Sequence, residues 1–165
     1  MKRLTLPKNH RLVRNHQFKA VLDRRRRASD ALLTVWVAEN RCGHARLGVS
    51  VGKSCGNAIV RNRLKRLLRE TFRLRRGWIP AGYDYVLMIS APTARKLKHP
   101  TQGPKVVRSI TLAQIQASFA SLVRACFAPD SAGRDRPGPA SVQGDDNRNA
   151  SRSADQDVNA NGAGG

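Results

Sequence analysis

The spacing of apolar positions changes period along this chain, and each change marks an element. From Asn15 the apolar residues Phe18, Val21 and Leu22 recur at i, i+3 and i+4, which predicts a short helix over residues 15–23 with Asn15 placed to cap it. The run Arg24-Arg25-Arg26-Arg27 ends that stripe and reads as a basic loop. Residues 31–38 (ALLTVWVA) and 45–52 (ARLGVSVG) are rich in β-branched side chains and predict two strands of one hairpin, turning around Asn40-Arg41-Cys42-Gly43. Alternation puts Leu33, Val35, Val37, Leu47, Val49 and Val51 on one face, the core face. The other face carries Thr34, Trp36, Arg46, Gly48 and Ser50, a set too small and polar to suggest a second core.

Residues 57–76 give the strongest helical pattern. Asn57 can cap it, Val60, Leu64, Leu67, Leu68, Thr71 and Phe72 form its apolar stripe, and Gly77 stops it. Pro80 and Gly82 mark a turn before a strand over 83–91, whose mixed pattern suggests a strand more buried than the hairpin. Pro92, Pro100, Gly103 and Pro104 make 92–108 an irregular connection, and Ile115, Phe119, Leu122 and Cys126 predict a last helix over about 109–127. The expected fold is α/β in the α+β sense, a two-layer sandwich of order αββαβα with room for one extra short strand. Residues 1–10, basic and holding Pro7, read as a flexible arm, and 11–128 as the folded domain. The rest, 129–165, reads as a disordered tail, with Val142 and Val158 as its large aliphatics.

Charge narrows the function. The chain carries 31 Lys and Arg against 11 Asp and Glu, a net of +20, and removing the slightly acidic tail leaves +22 on residues 1–129. Only Asp23, Asp30, Glu39, Glu70 and Asp84 oppose it there. Such an imbalance calls for a polyanionic partner, nucleic acid before an anionic membrane. No apolar run approaches the roughly 20 residues of a spanning helix, and the first residues lack the apolar stretch of a signal peptide, so a soluble, cytoplasmic protein is expected. Cys42, Cys55 and Cys126 match neither a zinc pair nor a disulfide framework. His10, His16, His44 and His99 lack patterned nucleophile partners, and five scattered acids offer no metal-binding set, so the protein itself is not expected to catalyse. Glu70, on a helix with Arg66 and Arg73, is expected to pair with one of them.

Phosphate binding is better supported. Asn62, Lys65, Arg69, Arg73 and Arg76 fall nearly in line on the basic helix, and guanidinium favours bidentate phosphate contact. A solvated charged face is the plainer reading, but such faces mix signs and this one holds a single acid. Phe18 and Trp36 suggest a stacking surface for unpaired bases, against the alternative that both plug a core; alternation favours the open face for Trp36.

The segment GVSVGKSCGNAIVRNRLKRLLRETFR, residues 48–73, resembles the signature of the bacterial ribonuclease P protein family, with further likeness at RLVRNHQFKAVL (11–22) and AGYDYVLMISAPTA (81–94). The resemblance implies an α/β sandwich with a left-handed β-α-β crossover. It also implies partnership with a catalytic RNA and the 5′ leader of precursor tRNA, whose endonucleolytic removal gives the mature tRNA 5′ end. No obligate protein partner and no membrane are implied. The active site is expected in the RNA, with Mg²⁺ in the ribonucleoprotein reaction and no cofactor held by the protein alone. By position, Lys53, Arg61, Asn62, Arg63, Lys65, Arg66 and Arg69 are expected on the catalytic RNA, and Phe18, Leu22 and Trp36 in the leader cleft. Leu22 and Trp36 depart from the Phe and Tyr of some members, and Ser54 replaces a second Lys found in many. A non-enzymatic RNA-binding module of similar fold, such as a ribosome-associated protein, is the alternative.

Overall fold

The computed structural model describes residues 6–129, one compact unit. Helix α1 (Asn15–Asp23) leads to strands β1 (Arg27–Ser29), β2 (Leu33–Glu39) and β3 (Arg46–Ser50), then helix α2 (Ala58–Arg75) and strand β4 (Tyr83–Ile89). Three helices close the chain: α3 (Ala91–Lys98), α4 (Gly103–Ser109) and α5 (Leu112–Phe127). The α+β class therefore holds, and β1 is the extra short strand, with Arg27 inside it rather than on a loop.

The sheet order is β1-β2-β4-β3, so β2 and β3 are not the hairpin that their sequence proximity suggests. Strand β4 separates them, antiparallel to β2 (Val35↔Leu87) and parallel to β3 (Val49↔Leu87). The reason lies in β4, where Asp84 through Leu87 and Ile89 are all buried. A strand apolar on both faces is best used between two neighbours, and alternation specifies a strand's face without specifying its neighbour. The parallel β3–β4 pair then needs the crossover that α2 supplies.

The core face is the expected one. Leu33, Val35, Val37 and Leu47 join Tyr85, Leu87 and Ile89 against Leu64, Leu68 and Phe72 of α2 and Ile115, Phe119 and Leu122 of α5. Phe72, Tyr85 and Phe119 pack with ring centroids 5.9–6.5 Å apart, and full burial of such side chains contributes roughly 1.5–3 kcal/mol each.

Several local expectations need correction. The segment 92–108 is two helices, because Pro92 and Pro104 stand in first turns, where a missing N–H breaks no bond. Helix α5 starts at Leu112 behind a capping box of Thr111 and Gln114. In α1 the cap is Arg14, not Asn15, and Gln17 Oε1 accepts from the Val13 and Arg14 amides at 2.9 and 3.0 Å. Residues 6–10 are not a free arm: Leu6 is buried in the core and His10 Nδ1 lies 3.0 Å from the Ala45 carbonyl. Residues 1–5, and the expected tail from residue 130 onward, lie outside the described residues.

Candidate nucleic-acid interface

Helix α2 owes its start to a sharp turn. Gly56 sits at φ 108°, a conformation that side chains rarely adopt, and delivers the chain to Asn57, whose side chain accepts from the Val60 amide at 3.1 Å. From there about 100° of rotation per residue sorts the side chains. Leu64, Leu68, Thr71 and Phe72 are buried, while Asn62, Arg66 and Arg69 project into solvent on one flank, with Arg61 and Lys65 half-buried along its inner edge. Lys53, exposed in a 3₁₀ turn at Lys53–Cys55, stands just ahead of the helix.

Arg63 departs from this group. It is exposed on the other flank, and its Nη2 donates to the Ile110 carbonyl at 3.5 Å, beside the start of α5. Glu70 pairs with Arg73, Nε to Oε2 at 2.9 Å, as its spacing predicts. That bond holds the Glu70 carboxyl below its ordinary range and raises Arg73. The other acids are likewise engaged. Asp84, buried, accepts from Arg46 Nε at 2.7 Å and from Asn40 Nδ2 at 2.6 Å, which raises Arg46. Asp30 accepts from the Leu32 and Leu33 amides, and Asp23 pairs with Lys19. The outward positive charge of α2 is therefore opposed on its own helix only by Glu70.

The opposite face of the sheet differs from expectation. Leu12, Val21, Trp36, Ala38 and Val86 form a second buried cluster, with Phe18, Leu22 and Met88 packed against it. Alternation alone gives this face too little apolar surface, and α1 supplies the remainder. Trp36 is consequently 7% exposed, not on an open face, with the Arg27 guanidinium 5.0 Å from its ring centroid. Here the core reading wins over the stacking one. Phe18 satisfies both: its ring lies on Gly48, where an added Cβ would meet Cε1 at 2.7 Å, yet the residue is only half-buried. Leu22 is half-buried too.

Beyond the buried row Trp36–Val86–Gly48 runs the row Thr34–Met88–Ser50, half-exposed at each position. On this same face Phe18, Leu22 and Met88 pack, each half-buried, against the second cluster. Sequence reasoning missed Thr34, Met88 and Ser50 as a group. Their shared parity was visible, but their adjacency depends on β4 lying between β2 and β3.

The thiols and histidines offer little chemistry. Burial pushes the Cys126 thiol up to about 11 and raises Cys55, so neither forms a ready nucleophile, whereas Cys42 is exposed. The His10 and His44 rings lie with centroids 4.1 Å apart, tilted by 42°, and near backbone carbonyls. Among the described residues no group of three or more His, Cys, Asp and Glu converges. No single helix among them is long and apolar enough to cross a membrane.

Comparison with known proteins agrees with this fold. The family model described as Ribonuclease P matches residues 6–102. The ribonuclease P protein component of Syntrophus aciditrophicus is 37% identical over 94 residues, covering 57% of this chain and 79% of that one. That of Clostridium kluyveri is 43% identical over 81 residues, covering 48% and 72%. Among solved structures, the RNase P protein of Staphylococcus aureus superposes with a TM-score of 0.57 at 25% identity, over 72% of this chain and 95% of that one. The Thermotoga maritima RNase P protein shares the fold with a TM-score of 0.57 at 24% identity, over 69% and 96%.

Proposed function

This chain belongs to the ribonuclease P protein family, and from that premise we propose that it works through two surfaces on opposite faces of one sheet. It is the protein subunit of a ribonucleoprotein endoribonuclease of tRNA processing. In our reading the flank of α2, with Arg61, Asn62, Lys65, Arg66 and Arg69 and with Lys53 ahead of it, docks the catalytic RNA. Arg63 joins from the far flank. Guanidinium groups so spaced meet successive phosphates and release their counterions.

The surface of Phe18 and Leu22 with Thr34, Met88 and Ser50 takes the single-stranded 5′ leader of precursor tRNA. Phe18 supplies the stacking surface, and Trp36 backs it from beneath α1. Chemistry and its Mg²⁺ belong to the RNA, and the protein contributes substrate affinity and discrimination against mature tRNA, which lacks a leader. The observation that carries this reading is that the cationic flank of α2 and the half-buried Phe18 and Leu22 of α1 belong to opposite faces of the sheet.

The test is 5′ processing of a labelled precursor tRNA at low Mg²⁺ with a bacterial ribonuclease P RNA alone, the protein alone, and both. Cleavage at the mature 5′ end in the combined reaction only is expected. Tight, salt-dependent RNA binding without rescue across several catalytic RNAs would instead favour a non-enzymatic RNA-binding module.

A further inference from the structure

A cavity of about 400 Å³ opens between the first turn of α2 and the α3–α4 hairpin. That volume lies in the range of sites that take small ligands, about 300–1,000 Å³. It shares no residue with the leader surface. Ile59, Leu97 and Val107 contribute its apolar wall, and Lys98, His99 and Arg108 stand at it.

Two features of the groove are unexplained by folding. Ile59 is 79% exposed, more than any other large hydrophobic residue among those described, with Leu74 the other exposed aliphatic on α2 at 48%. Aliphatic side chains contribute to stability by leaving water, and this one does not leave it. Lys98, His99 and Arg108 are also exposed, and the sequence from residue 85 to 129 contains no Asp or Glu to pair with them. His99 Nδ1 accepts from the Gln102 amide at 3.4 Å and lies 3.1 Å from the Thr101 hydroxyl.

An apolar slot edged by cations matches a nucleotide, which joins an apolar base face to a phosphate. We propose that this groove receives an unpaired nucleotide of the catalytic RNA, with the base against Ile59 and flanking phosphates on Lys98 and Arg108. The assignment to that RNA rests on the docking role given to α2 above. Ile59 and Arg66 are about 10 Å apart along one helix axis, so a strand held on the basic flank passes the groove mouth. The leader surface lies across the sheet. Helix α4 falls beyond the segment matched by the family model, so a third of the groove's lining comes from residues outside the matched segment.

The experiment uses the full-length chain and a bacterial ribonuclease P RNA transcript, comparing wild type, Ile59→Ala and a Lys98→Ala/Arg108→Ala double variant. Affinity is measured across a salt series, and accessible bases are probed with dimethyl sulfate. Ile59→Ala is expected to weaken RNA binding on the order of fivefold to tenfold with its salt dependence unchanged, and to re-expose a base that wild type protects. The double variant should flatten the slope of log affinity against log salt by about 1.5. All three positions are exposed, so thermal midpoints should stay together.

Unchanged affinity and unchanged protection in both variants, with wild type binding normally, would overturn the groove assignment alone. A loss seen only for precursor tRNA would reassign the groove to substrate and overturn it equally. Failure of wild type to bind the transcript would overturn the docking reading and this inference with it.

Discussion

Individual residues divide into those whose chemistry is quenched by burial and those left available. Cys126 is quenched: it is 1% exposed, its thiol lies 3.9 Å from the Val35 carbonyl, and burial pushes its pKa up to about 11. A thiol that holds its proton more tightly when folded contributes stability below its ordinary value near 9, and that contribution is lost as pH rises towards 11. Urea unfolding at pH 8 and pH 10.5 should therefore show wild type losing about 1–2 kcal/mol more than Cys126→Ala over that interval. Native alkylation near pH 8 should modify Cys42 and spare Cys55 and Cys126 until denaturant is added. A native protein in which all three thiols react at one rate would contradict the burial described here.

At the scale of elements, α1 and α2 serve different surfaces and should fail separately. Arg66→Ala with Arg69→Ala removes two charges from the exposed flank of α2 without touching the core. It should weaken catalytic-RNA binding by about 1–3 kcal/mol and lower the salt slope by about 1.5. Phe18→Ala should leave that binding intact and reduce the preference for precursor over mature tRNA, measured with leaders of increasing length. Equal losses in both assays from both variants would contradict two independent surfaces. The seat of α1 depends on Gly48, since a Cβ there would meet Phe18 Cε1 at 2.7 Å and Val86 Cγ2 at 3.1 Å. Gly48→Ala should cost about 1–3 kcal/mol in urea unfolding, as overpacking does, and should impair leader discrimination together with stability.

For the whole molecule the governing quantity is +22 on residues 1–129 with every acid there already engaged, which destabilises the compact state by self-repulsion. Anions that bind the native state should stabilise it, so the thermal midpoint should rise by several degrees in sulfate over chloride at matched ionic strength, and further with ribonuclease P RNA. Equal midpoints in the two salts would show that screening alone acts. By itself the sequence determined α1, α2, three of the four strands and the core parity of Leu33, Val35, Val37 and Leu47, because these depend on local periodicity. It also determined the cationic flank of α2, because net charge and helical spacing are properties of a short segment. Tertiary structure decided the insertion of β4 between β2 and β3, the burial of Trp36 beneath α1, the turn of Arg63 towards Ile110 and the alignment of Thr34, Met88 and Ser50 in one row. Each of these depends on which segment becomes whose neighbour, a choice set by the joint burial of faces far apart in the chain.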